Sequence, residues 1–187
     1  LENYTKTEQL IPMRDGVKLF TSIYIPKDTT ENHPILIKRT PYSCSPYGKE
    51  FGKFWNSYQR FYFREGYIMV IQDVRGRWMS EGEFADVRPF HPDKKKNTDI
   101  DEASDTYDAV EWLLKHVKHN NGNVGVFGIS YPGFYATMAA MSNHPAIRAV
   151  SPQAPVTDWF RGDDFHHNGA FFLMDAFGFY SAFGKPR

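Results

Sequence analysis

Four apolar residues, Val124 to Phe127, run directly into Gly128-Ile129-Ser130-Tyr131-Pro132-Gly133, and a stretch with the pattern of a helix follows. No other part of the chain limits its architecture so strongly. A short apolar run bounded by glycine reads as a buried strand, and a strand that turns at once into a helix is a building unit of a layered α/β protein. Glycine before and after Ser130 lets the backbone bend sharply. Pro132, with its fixed φ and missing N–H, suits the start of a helix. The second glycine lies three residues after the serine, one further than in the common G-x-S-x-G pattern.

The rest of the chain agrees with a layered fold. Two β-rich runs, Thr7 to Met13 and Val17 to Pro26, flank Arg14-Asp15-Gly16, and Asp-Gly between alternating runs signals a hairpin. A short strand, Ile35 to Ile37, is expected to break at Arg39-Thr40-Pro41-Tyr42. Phe51, Phe54, Trp55, Tyr58 and Tyr62 recur at helical spacing and predict a helix over 50–64 with an aromatic, core-facing side. Tyr67 to Gln72 reads as a buried strand, and a polar, turn-rich segment follows to Thr98. Asp99 or Asp101 can cap the next helix, whose Ala109, Val110, Leu113, Leu114 and Val117 share a face and which Asn120-Asn121-Gly122-Asn123 stops. A helix from Pro132 to Ser142 and a strand from Ile147 to Val150 complete the pattern.

The predicted class is α/β, with a mostly parallel central sheet and an N-terminal antiparallel hairpin. Residues 1–157 form this unit. From Asp158 the character changes: Phe165, Phe171, Phe172, Phe177, Phe179, Tyr180 and Phe183 crowd a segment, 158–187, that fits no sheet strand.

Composition narrows the classes of function. The 22 basic and 22 acidic residues balance, so no charge excess favours nucleic acid or an anionic membrane surface. No run of about 18 apolar residues suggests a membrane span. The N-terminus, Leu1-Glu2-Asn3-Tyr4, has no basic-then-apolar leader. A removed leader would look the same, which leaves a periplasmic or secreted location open beside a cytoplasmic one. The single cysteine, Cys44, has no partner for an internal disulfide and reads as a small buried residue. His166 and His167, close to Asp163 and Asp164, do not have the spacing of a zinc motif, and no metal is expected there. Lys94-Lys95-Lys96 reads as a solvated loop.

The chemistry centres on Ser130. A serine hydroxyl becomes a nucleophile when a base takes its proton and donors stabilise the resulting oxyanion. The backbone N–H of Tyr131 is placed for one donor. The loop Arg39 to Cys44 contains no glycine to bring a second amide close, so the Tyr42 phenol is the natural second donor. This chemistry needs side chains and backbone amides only, and no cofactor is implied. Asp73 and Arg75, at the end of a strand, are expected to form an internal ion pair that shapes their loop. Trp78 fits either an acyl pocket or rim packing.

Gly-Ile-Ser130-Tyr131-Pro-Gly, Arg39-Thr-Pro-Tyr42 and Asp73-Val-Arg75-Gly-Arg-Trp-Met-Ser-Glu81-Gly together resemble the X-Pro dipeptidyl-peptidase and cocaine-esterase-like α/β-hydrolases. The branch of α-amino-acid ester hydrolases and glutaryl-cephalosporin acylases looks most similar, and the resemblance runs from about Glu8 to Asp175. It implies Ser130 as acyl nucleophile, with the Tyr131 amide and Tyr42 hydroxyl as oxyanion donors. It also implies that Asp164, with Asp163 as the alternative, belongs to a carboxylate cluster that holds a substrate's α-ammonium group.

Hydrolases of this fold take their acid and then their histidine from positions after the serine. Asp158, Asp163, Asp164, Asp175, His144, His166 and His167 all follow Ser130, but none follows a recognisable further strand. The expectation is therefore the N-terminal part of a longer enzyme, with triad acid and histidine beyond residue 187 and a helical cap opening at residue 158. The resemblance adds a C-terminal jelly-roll domain to such a protein. Expected substrates are small molecules or peptides: amino-acid esters first, X-Pro peptides or glutaryl amides as alternatives. A fragment that keeps the fold and only binds or assembles is the non-enzymatic alternative. Homo-oligomerisation of the full-length protein stays open.

Overall fold

A computed structural model describes residues 2–52, 58–161 and 164–183. The hairpin strands β1 (Tyr4–Pro12) and β2 (Lys18–Pro26) pair antiparallel around a turn at residues 14–16. Next come β3 (His33–Thr40), helix α1 (Gln59–Arg64), β4 (Ile68–Asp73), α2 (Glu102–His116), β5 (Asn120–Ile129), α3 (Tyr131–Met141) and β6 (Ile147–Gln153). The strands form one sheet in the order β1-β2-β4-β3-β5-β6. Strand β2 runs antiparallel to β4, whereas the β4–β3, β3–β5 and β5–β6 pairings are parallel. This is the mostly parallel sheet with an antiparallel N-terminal hairpin that the strand pattern predicts.

Each face of the sheet is buried by different chemistry. On one face, aliphatic residues such as Ile23, Ile35, Ile37, Val70, Val124 and Val126 pack against Ala109, Val110 and Leu113 of α2 and Ala136 and Ala139 of α3. The other face is aromatic, with Phe20, Tyr24, Phe63 and Phe127 around Met69 and Ile71. Of the predicted 50–64 helix, the structure shows Gln59–Arg64; Phe54 and Trp55 lie outside the described residues. The aromatic stripe does face the core in part: the Tyr62 ring lies 5.4 Å from that of Phe127.

Strand β3 does not break at Arg39. It continues through Thr40 because the buried Arg39 guanidinium is matched on several sides. Its Nε donates to Gln72 Oε1 at 2.8 Å, and Nη1 donates to the Glu102 carbonyl at 2.9 Å and Thr106 Oγ1 at 3.1 Å. Nη1 also lies 3.0 Å from Glu102 Oε2. Asp105 extends the cluster to Arg75 (2.7 Å), which in turn reaches Asp15 in the hairpin turn (2.7 Å). Burial raises the pKa of Glu102, against the pull of Arg39.

Asp101, not Asp99, caps α2. Its carboxylate accepts from Ser104 N–H at 2.8 Å while Ser104 Oγ accepts from Asp101 N–H at 2.9 Å, a reciprocal capping box. Asp99 accepts instead from the amides of Lys95 and Lys96. At the other end Asn120 stops the helix through its side chain, which donates to the carbonyls of Leu114 and Val117, while its backbone already begins β5.

Residues after Asp158 form a two-stranded ladder, β7 (His166–His167) with β8 (Ala170–Phe171), and helix α4 (Leu173–Phe183). Neither short strand joins the central sheet. Strand β6 is the outermost strand on its side among the described residues, and Val150 on it is exposed. No helix among the described residues is long and apolar enough to cross a membrane.

The Asp101 carboxylate also accepts from His91 N–H at 2.9 Å and pairs with Lys94 at 2.6 Å, so it ties the 81–98 loop to α2. Asp101→Ala in the full-length protein should therefore lower unfolding stability by about 2 kcal/mol, at the upper end for a helix cap. Denaturant titration beside Asp101→Asn, which retains the cap acceptor, checks this; equal stability of wild type and Asp101→Ala would refute it.

Candidate active site

Strand β5 delivers Ser130 at the C-terminal edge of the sheet, and α3 begins at the next residue. Ser130 has φ 61° and ψ −124°, a backbone conformation that a residue with a side chain adopts only when its surroundings enforce it. They do so here. Ser130 N–H donates to the Gln153 carbonyl at 2.9 Å, and the Ser130 carbonyl accepts from Phe134 N–H at 3.2 Å. The side chain makes no capping bond and the residue is exposed, so the hydroxyl stands out of the turn uncommitted.

The displaced second glycine has a steric reason. A Cβ on Gly128 would lie 2.1 Å from the Pro132 carbonyl oxygen, and one on Gly133 would lie 2.8 Å from the Gln153 carbonyl oxygen. The first turn of α3 passes so close to the end of β6 that the residue needing no side chain is the one at 133. That approach also holds the bend of the turn.

The two expected oxyanion donors lie beside this turn. Tyr131 N–H, at the first residue of α3, has no intrahelical acceptor. The Tyr42 ring is half-exposed and meets the Tyr131 ring edge-on at 6.3 Å. Its loop is fastened at several points: Tyr42 N–H donates to Thr40 Oγ1 (3.1 Å), and the Pro41 carbonyl accepts from Trp78 Nε1 (2.8 Å) and Arg77 Nε (3.2 Å). Burial, and then the negative charge of Asp86, push the Tyr42 phenol above its ordinary pKa. It is thus a neutral O–H donor near pH 7.

Asp73 and Arg75 do not pair with each other. Arg75 turns to Asp105 and Asp15, whereas Asp73, fully buried, accepts from Cys44 N–H (2.7 Å), Tyr47 O–H (2.9 Å) and Met79 N–H (3.3 Å). Asp73 closes β4, whereas Arg75 lies beyond the strand, and the two side chains serve different partners. Asp73 joins the Tyr42 loop to the loop after β4. Its desolvation raises its pKa, and the donors around it oppose that rise.

The remaining predicted residues are dispersed. Trp78 sits at the rim with φ 52° and spends its indole N–H on Pro41. Asp164 is exposed in the turn before β7, and Asp163 lies outside the described residues. His144 bonds Glu111 Oε1 at 2.9 Å, and His166 Nδ1 lies 3.2 Å from the Trp159 carbonyl. Neither is hydrogen-bonded to Ser130. Among the described residues no group of three or more His, Cys, Asp and Glu could hold a metal ion.

Sequence reading overlooked the contacts that α4 and the 81–98 loop make with Tyr42 and Tyr131. Phe183, at the end of α4, lies 5.7 Å from the Tyr42 ring and 5.5 Å from the Tyr131 ring, and the Arg77 guanidinium sits 4.6 Å over its face. Asp86 accepts from the Tyr131 hydroxyl at 2.6 Å and the Tyr180 hydroxyl at 2.5 Å. Asp73 left a readable signal, a carboxylate closing an apolar strand. Asp86, one acid in a polar loop, left none.

Residues 15–184 match the X-Pro dipeptidyl-peptidase (S15) family. The chain belongs to that family. It is 32% identical to the cocaine esterase of Rhodococcus sp. (strain MB1 Bresler) over 179 residues, covering 94% of this chain and 28% of that protein. Among solved structures, an α-amino acid ester hydrolase labelled with selenomethionine superposes with TM-score 0.84 at 38% identity, over 98% of this chain and 30% of that one. An aminopeptidase from a marine-sediment Thaumarchaeota archaeon gives TM-score 0.78 at 40% identity, over 90% of this chain and 28% of that one. The fold is that of the α/β-hydrolases, and the chain spans less than a third of the length of these relatives.

Two outcomes test the site's construction. Cys44 is buried at the end of the Tyr42 loop, and burial with the nearby Asp73 charge pushes its thiol up to about 12. In the native full-length protein near pH 8, iodoacetamide should leave Cys44 unmodified until denaturant is added, as peptide mass mapping would reveal. Rapid native alkylation would show that the loop opens. Gly133→Ala should lower the melting temperature by several degrees, whereas Gly178→Ala in α4, where a Cβ meets open space, should leave it level or raise it.

Proposed function

We propose that this chain carries the nucleophilic half of a serine hydrolase that works through an acyl-enzyme, cleaving ester or amide bonds whose acyl group bears a free α-amino group. The observation that carries the reading is the strained turn at Ser130: positive φ, an uncommitted hydroxyl, and two donors beside it. In the first step Oγ attacks the carbonyl carbon, a base takes the Oγ proton, and the carbonyl π bond opens to an oxyanion between the Tyr131 amide and the Tyr42 hydroxyl. Collapse of that intermediate expels the alcohol or amine, which leaves with the proton. Water then releases the acid by the same route.

We place the base and its partner acid on parts of the protein beyond residue 187, and read residues 158–187 as the opening of a cap over the site. The small share of the relatives' length that the chain spans supports this division. Asp164, with Asp163 as the alternative, is our candidate for holding the substrate ammonium by a charge-assisted hydrogen bond. Similarity to a protein described as an α-amino acid ester hydrolase favours amino-acid esters. The family description and the similar aminopeptidase favour a second reading, removal of X-Pro dipeptides from peptide N-termini. Both substrates present a free ammonium two bonds from the carbonyl or further along the same chain.

Fluorophosphonate should modify the full-length protein stoichiometrically at Ser130, and Ser130→Ala should abolish both labelling and turnover. Tyr42→Phe should lower kcat by about a hundredfold, the effect of losing one oxyanion donor. A panel of an amino-acid ester, an X-Pro anilide and a glutaryl amide ranks the substrate classes. Turnover with no preference for a free amine would defeat the primary reading.

A further inference from the structure

Next to the nucleophile turn stands a carboxylate that the acyl-transfer chemistry does not employ. Asp86, exposed in the 81–98 loop, accepts one phenol on each oxygen: Tyr131 at 2.6 Å and Tyr180 at 2.5 Å. The Tyr131 oxygen is itself fixed by Val87 N–H at 2.7 Å. A carboxylate offers about four lone-pair positions, so two phenols leave room for a further donor. No lysine, arginine or histidine among the described residues forms an ion pair with Asp86. Arg88, two residues away, turns to the Glu83 carbonyl and toward Glu102. Among the described residues, then, no ion pair cancels this charge.

Its position makes that omission consequential. Tyr131 directly follows Ser130, and the Tyr42 phenol feels the Asp86 charge. A negative charge near Tyr42 opposes the oxyanion expected to form beside that phenol. A neutral acyl group would react against this field. An acyl group with a cation next to its carbonyl would cancel it, and the half-exposed Tyr42 ring suits an ammonium group.

We propose that Asp86 is a specificity-determining residue: it receives the substrate's ammonium group and penalises acyl groups that lack one. The proposal rests on the reading of Ser130 as nucleophile and adds a carboxylate distinct from Asp164. Because the repulsion acts on the oxyanion, discrimination enters kcat as well as KM.

The test uses Asp86→Asn in the full-length protein, since the amide keeps the size and can still meet both phenols. The substrates are phenylalanine methyl ester and its desamino counterpart, 3-phenylpropionate methyl ester. Removing one charge-assisted hydrogen bond should lower kcat/KM for the amino ester by about tenfold or more, while kcat for the desamino ester rises. Tyr180→Phe, which keeps the charge, should preserve the ratio between the two. A parallel fall for both esters in Asp86→Asn would reduce Asp86 to a clasp between Tyr131 and Tyr180, and overturn the proposal.

A binding arm separates this from failure of the Ser130 reading. Phenylalaninol and 3-phenylpropanol, which are not hydrolysed, are titrated into wild type and Asp86→Asn by calorimetry. Wild type should prefer the amine by about tenfold or more, and the variant should show a clearly smaller preference. Undiminished preference in the variant, or none in wild type, overturns the role of Asp86. Hydrolysis that survives Ser130→Ala would instead overturn the nucleophile assignment, and the binding arm would still decide Asp86.

Discussion

The buried charge cluster running from Glu102 through Arg39, Asp105 and Arg75 to Asp15 is the constraint on which the rest of the site depends. It binds the ends of β3 and β4, the first turn of α2 and the hairpin turn into one body. Removing one member of such a cluster costs about 3–5 kcal/mol, because an unmatched charge stays behind in the interior. Its value here is positional. Pro41 and Tyr42 leave the sheet immediately after Thr40, the neighbour of Arg39, and Val74 to Trp78 leave it immediately after Asp73. The two loops then lock together through Asp73, Trp78 and Arg77, so the phenol opposite Ser130 takes its coordinates from buried charges one strand away.

Two kinds of rigidity meet at the candidate site. On the Ser130 side, steric closeness does the work: Gly128 lets the first turn of α3 fold onto the end of β5, and Gly133 lets it approach the end of β6. On the Tyr42 side, hydrogen bonds to a buried carboxylate and to one carbonyl do it. The first kind is insensitive to charge and solvent; the second depends on both. A third layer, Phe183 and Tyr180 from α4 with Asp86 from the loop, touches both sides through ring contacts and exposed polar groups.

What the sequence revealed follows the same division. The Ser130 turn was legible because strand, glycine, serine, proline and glycine are neighbours, and local sterics need no distant partner. The hairpin at Asp15-Gly16 and the capped start of α2 were legible for the same reason. The end of β3 was misplaced because Arg39 reads as a loop residue until Glu102 and Thr106, more than sixty positions on, match its charge. Asp73 and Arg75 look like a pair when written in a line, yet Asp73 is taken by Cys44 and Tyr47 and Arg75 by Asp105 and Asp15. Asp86 and Tyr180 are 94 residues apart, and no local pattern announces their contact. The carboxylate expected to hold an ammonium, Asp164, rested on resemblance alone, and the fold places it only as far as an exposed turn.

Strand β6 has two edges with different occupations. The inner edge pairs with β5 and carries the Gln153 carbonyl that both receives Ser130 N–H and abuts Gly133. The outer edge presents its amides and carbonyls to whatever lies alongside. A sheet transmits displacement across a strand far more readily than along a loop, since its pleat ties the two edges together. Any strand seated on that outer edge would therefore press, through a single peptide's width, on the residue that sets the angle of the serine. In mechanical terms the serine sits at the tip of a lever whose handle is the free side of β6.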